Sequence, residues 1–96
     1  MYIKIHRSAS TTIVAVCDRN ILGRKLVDGK LVVEISSDFY MGQEANEEEV
    51  VELLTGASTV NIFGEKAVEC AIKAGIIDRD SILMIDNVPH AQIFSI

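Results

Sequence analysis

Tryptophan is absent from the chain, proline occurs once, as Pro89, and three phenylalanines and two tyrosines make up the aromatic complement. Any core must therefore be aliphatic. No apolar run approaches the roughly 18 residues of a membrane-spanning helix. The opening MYIKIHRSAS lacks the apolar segment of a signal peptide. The expectation is a soluble, cytoplasmic protein with no membrane partner. Cysteine is scarce too. Cys17 and Cys70 sit in apolar runs without C-x-x-C spacing, which argues against a disulfide framework and predicts buried, reduced thiols. The two cysteines and two histidines are scattered without zinc-ligand spacing. No metal or cofactor is expected.

What the chain has in quantity is aliphatic surface and acid. Ninety-six residues make a single domain, 1–96. Hydrophobic residues make up 49% of it, and the mean hydropathy is +0.29. A small domain this apolar leaves surface to spare. A homodimer is the expectation, through a strand edge or the loop carrying Phe39, Tyr40 and Met41. The net charge of −5 is uneven. Residues 1–30 hold six of the nine basic side chains against Asp18 and Asp28, and residues 31–96 hold twelve acidic ones against three basic.

The stretch TVNIFGEKAVECAIKAG, residues 59–75, organises the rest. Val60, Ile62 and Phe63 are strand formers, with Gly56 and Gly64 marking the ends and the amide Asn61 out of place between them. Ala67, Val68, Ala71 and Ile72 then recur at helical spacing, and Gly75 stands where a left-handed cap belongs. Glu69 and Lys73 are four apart in the favourable order for an ion pair. Before this stretch, residues 2–7 alternate as a half-buried strand, and residues 12–17 read as a central strand covered on both faces. Residues 21–27 are ambiguous, and Asp28-Gly29 signals a hairpin. Residues 31–35 return as a strand with Leu31, Val33 and Ile35 inward. Residues 36–45 read as a long loop. Asn46 with Glu49 is a capping-box pair opening a second helix. After residue 75 come a turn, a short strand at 82–85, a turn at 87–89 and a last strand at 90–96. The segment 59–85 fits one right-handed crossover between parallel strands. The fold class is α+β: a two-layer α/β sandwich, a mixed sheet of five or six strands with two helices on one face.

KIHRS (4–8), IVAVCD (13–18), NIFGEKAVECAI (61–72) and above all VPHAQI (88–93) resemble an archaeal family catalogued as domain of unknown function 424. The likeness runs along essentially the whole chain. It implies a single two-layered domain of this length and no established activity, with a hint of association with translation. Two positions depart from the pattern. Asn87 stands where glycine is commoner, and asparagine also tolerates φ > 0, so the turn should survive. Met41 replaces one of two glycines after Phe39-Tyr40, which removes any contact there that depends on glycine.

Four candidate sites follow from the residues. Gly64 before a helix can present free N–H groups to an anion, although one glycine is no phosphate loop and Glu65 adds negative charge, so a plain turn is favoured. Asn61, His90 and Gln92 converge if the last strand lies beside the central one, whereas polar residues on a sheet face more often satisfy backbone groups or face water. Cys17 with His6 or His90 would be a thiol dyad, but no motif surrounds it and no catalytic residue is assigned. Lys4, Arg7, Arg19, Arg24 and Lys25 would form a polyanion patch with stacking from Tyr2 and Phe39 or Tyr40, against the plainer reading of a solvated rim. The favoured function is a non-enzymatic binding module with an RNA or protein partner. The alternatives are a small enzyme or ligand-binding protein working through Asn61, His90 and Gln92, and a structural subunit of a larger assembly.

Overall fold

The computed structural model describes residues 1–94. The strands β1 (Tyr2–Arg7) and β2 (Thr12–Cys17) pair antiparallel from Tyr2↔Cys17 to Arg7↔Thr12. A separate hairpin, β3 (Lys25–Asp28) and β4 (Leu31–Glu34), follows, turning on Gly29 at φ +60°. Then come a short helix α1 (Ser37–Tyr40), a two-residue strand β5 (Gln43–Glu44) and helix α2 (Glu47–Leu54). Strand β6 (Val60–Phe63), helix α3 (Glu65–Lys73), strand β7 (Leu83–Ile85) and strand β8 (Val88–Ile93) complete the domain. The main sheet runs β5-β1-β2-β6-β8-β7, with β2 and β6 parallel and the other neighbours antiparallel. The fold is α+β with a mixed six-stranded sheet, as expected.

Strand β2 is central because both its faces are apolar. Val14 and Val16 pack with Val60, Ile62 and the small inner face of α3 (Ala67, Cys70, Ala71), joined by Val50 and Leu54 of α2. Ala15 and Cys17 face the other way, against Leu26, Ile35, Tyr40 and Phe63. That second face is partly roofed by the hairpin and α1, a layer the sequence reading lacks. Helix α2 starts on the expected capping box: Glu49 N–H donates to Asn46 Oδ1 at 2.9 Å and Asn46 N–H to Glu49 Oε1 at 3.0 Å. Helix α3 ends at Gly75 (φ +76°), with Ile76 N–H returning to the Ala71 carbonyl at 3.3 Å. The segment from β6 to β7 does join parallel strands, with β8 lying between them.

Several expectations are corrected. Residues 36–45 are not a plain loop. Ser36 Oγ caps α1 by accepting from Phe39 N–H at 3.2 Å, and β5 follows. Leu31 is 48% exposed rather than buried, because the hairpin's tip carries it away from the core. Glu69 and Lys73 do not pair with each other. Glu69 takes both Arg79 nitrogens at 2.7 and 3.1 Å, and Lys73 pairs with Glu47 of α2. The turn before β8 falls one residue early, on Asp86 (φ +49°) and Asn87 (φ +62°), so Pro89 lies inside the strand. It is tolerated there because its own carbonyl still accepts from Gly64 N–H at 2.9 Å, while the Gly64 carbonyl takes its bond from Val68 N–H at 3.0 Å. The last two residues of the expected strand, Ser95 and Ile96, lie outside the described residues. No helix among the described residues is long and apolar enough to cross a membrane.

Candidate functional site on the open sheet face

Strand side chains alternate between faces. The registers therefore put Lys4 and His6 of β1, Ile13 and Ala15 of β2, Asn61 and Phe63 of β6, and His90 and Gln92 of β8 on the face turned away from α2 and α3. The hairpin and Ile21 cover the end of this face near Cys17 and Phe63. The other end is more open: Gln92 is exposed, and His6, Ile13, Phe39 and Asn61 are half-buried.

A run of rings crosses this face. His6 stacks on Phe39 at 4.4 Å, Phe39 meets Tyr40 edge-on at 4.9 Å, Tyr40 meets Phe63 edge-on at 5.9 Å, and Phe63 stacks on His90 at 4.0 Å. Strand β1 fixes α1 in place for this. Lys4 Nζ donates to the Asp38 carbonyl at 2.6 Å, and His6 Nε2, which must carry its proton here, donates to the Phe39 carbonyl at 2.8 Å. The Tyr40 hydroxyl donates to Asn61 Oδ1 at 2.5 Å. Burial pushes that hydroxyl well above the usual tyrosine range, so it stays a donor. The Asn61 amide is thereby oriented, with its oxygen engaged.

Asn61, His90 and Gln92 are brought together, with Asn61 directly opposite Gln92 across the β6–β8 pair. His90 Nδ1 faces the Ile62 carbonyl at 2.8 Å and so carries the proton, leaving Nε2 as the acceptor. Burial holds His90 below its ordinary pKa of 6.5, against the opposing pull of the Ile62 carbonyl and the Gln92 amide. The imidazole is a neutral hydrogen-bonding group.

Gly64 does not join them. It sits past the far end of β6 at φ +114°, and the N–H groups of α3 already hold an anion, the chain's own Asp18. Asp18 Oδ1 accepts from Ala67 N–H at 2.8 Å and Oδ2 from Lys66 N–H at 3.0 Å. A Cβ on Gly64 would lie 2.3 Å from Asp18 Cγ, so glycine makes room for the carboxylate. Asp18, Arg24, Gly64 and Asn87 line a cavity of only about 170 Å³ beside it.

The basic residues divide into two groups. Lys4 and Arg7 lie on β1, Arg7 at the open end. Arg19, Arg24 and Lys25 follow the other end of β2, about 17 Å from Arg7 by strand rise, with Lys4 between them. Arg19 is paired with Glu44 at 3.0 Å, and Lys25 stands opposite Glu34. The five residues do not gather into one patch, because the length of a six-residue strand separates Arg7 from Arg19, Arg24 and Lys25, and Lys4 and Arg7 point to opposite faces of β1. The thiol dyad fails as well. Burial and the Asp18 charge push the Cys17 thiol up to about 11, so it is not a thiolate at neutral pH. Sequence reasoning missed the ring run, whose signal was only the Phe39-Tyr40 pair inside an apparent loop.

The comparisons agree with this fold. No curated protein matches the chain. It is similar to an uncharacterized conserved protein from Methanopyrus kandleri known from a crystal structure, with 28% identity and a TM-score of 0.85, over 96% of this chain and 88% of that one. The family described as "Protein of unknown function (DUF424)" matches residues 6–96, so the chain belongs to that family.

Proposed function

We propose that the protein is a non-enzymatic module that binds single-stranded RNA on the open half of the sheet face. One observation carries the reading: the half-buried end of the ring run, His6 on Phe39, lies on the same face as the oriented amides Asn61 and Gln92. A ring offers a stacking surface for a base, and side-chain amides read base edges. The charge layout supports it. Helices α2 and α3 carry Glu47, Glu48, Glu49, Glu52, Glu65 and Glu69 against Lys66 and Lys73, and they cover the opposite face. Lys4 of β1 is the strand's basic residue on the ring-lined face.

Fluorescence anisotropy with short RNA homopolymers at low ionic strength tests this. Binding should weaken with salt at a log–log slope of about −0.7 per phosphate contact. Phe39→Ala should lower affinity by about tenfold, the value of roughly one stacked base. Gln92→Ala should weaken binding in a sequence-dependent way. Reversal of Arg24 and Lys25, at the far end, should leave it nearly unchanged. Absence of salt-sensitive binding would refute the reading, as would full binding by Phe39→Ala.

A further inference from the structure

We infer that the outer edge of β4 is a homodimer interface, in which two copies pair antiparallel about a two-fold axis at Val32. The inference stands on a surface separate from the ring-lined face and does not depend on RNA binding.

The hydrogen-bond phase of the hairpin comes first. Asp28 and Leu31 flank the two-residue turn of Gly29 and Lys30 and so form a hydrogen-bonded pair. Arg24 and Ile35 keep the same phase, with Ile35 N–H donating to the Arg24 carbonyl at 2.8 Å. On the alternate phase, Val27 N–H points away from β4 and donates to Asp86 Oδ2 at 3.0 Å. Leu31, Val33 and Ile35 therefore direct their backbone groups to β3. Lys30, Val32 and Glu34 direct theirs outward, where no strand among the described residues pairs with β4.

This edge lacks most of the devices that keep strand edges apart, and its one charge, Glu34, finds an opposite charge in the pairing below. It contains no proline, no bulge and no lysine within β4 itself, and Leu31 and Val32 are 48% and 57% exposed. The other edges offer less. Strand β5 has two residues. Strand β7 has three, and the phase set by its own two-residue turn leaves Met84 alone pointing outward.

The segment Lys30-Leu31-Val32-Val33-Glu34 is complementary to itself when reversed. Antiparallel pairing centred on Val32 sets Lys30 of each copy against Glu34 of the other. It sets Leu31 against Val33, and Val32 against its own equivalent. Because Val27 stands opposite Val32 within each hairpin, the joined sheet carries an unbroken row of four valines across one face. Because Lys25 stands opposite Glu34, each carboxylate lies between two ammonium groups. A second copy is thus matched in backbone phase, apolar rows and charge.

Sedimentation velocity on the intact 10.5 kDa chain tests this. At about 100 μM, a concentration that reveals weak association, the wild type should sediment as a dimer. Lys30→Glu and Glu34→Lys should each shift the protein toward monomer, with the dissociation constant raised at least about tenfold. The double variant Lys30→Glu/Glu34→Lys restores opposite charges across the axis and should restore the dimer. Circular dichroism on each variant confirms that the domain is folded. A monomeric wild type would overturn the inference. So would a dimer indifferent to both single reversals, or a double variant no better than the singles. Phe39→Ala should not change the sedimentation, which separates this result from the RNA test.

Discussion

His90 shows how much one side chain is asked to do. It fills a buried place on β8, stacks on Phe63, and donates from Nδ1 to the Ile62 carbonyl. Its folded pKa lies below the ordinary 6.5, so the unfolded chain takes up a proton more readily than the folded one. The stabilisation is present above pH 6.5 and is lost as pH falls from there toward the folded value. Thermal melts of the wild type should therefore lose stability on going from pH 7 to pH 5.5, and His90→Gln should flatten that part of the curve; parallel curves for the two proteins would contradict the assignment. At this scale the sequence was partly legible. An amide inside VNIF and a histidine inside VPHAQI are conspicuous because their neighbours are apolar. The partners of Asn61 were not legible, because Tyr40 reaches it from a segment without helical or strand periodicity.

Among the elements, α3 has the tightest requirements. Ala67, Cys70 and Ala71 are fully buried against the sheet and α2, so there is no room for a larger side chain. Ala71→Leu should cost about 1–3 kcal/mol by overpacking. Urea denaturation would register it as a lower midpoint at an unchanged slope. The long periodic elements could be read from the sequence because several residues vote for each. α1 could not, since four residues give less evidence than one helical repeat needs, and its stability comes from Lys4 and His6 of β1 rather than from its own propensity. Leu31 was misplaced for a related reason. Alternation tells which side of a hairpin a residue is on, but not whether the main sheet extends beneath it.

Taken whole, the molecule separates its charge by layer. The two long helices hold a row of glutamates on one side of the sheet, and the ring-lined face lies on the other. The net charge of −5 does not say which side a polyanion partner would approach, whereas the layering of the charge favours the ring-lined face. Reversing Glu48 and Glu52 to lysine should leave RNA affinity unchanged or raise it at low salt, since both sit on the exposed side of α2. A clear loss of affinity in that variant would place the binding surface on the helices instead.

The parallel pairing of β2 with β6, and the clip from Asp18 to Lys66 and Ala67, set an order of assembly. The β1–β2 pair is local and can close early, but the strand that completes the centre arrives some forty residues later in the chain. During synthesis, Val14 and Val16 must wait, uncovered on the helix side, until β6 and then α3 have left the ribosome. Asp18 waits as well, and when α3 winds, its first amides find a carboxylate already placed. A nascent chain released before residue 73 would carry that half-built sheet, and a folding helper that shields short apolar strands would find its client at this stage and no later.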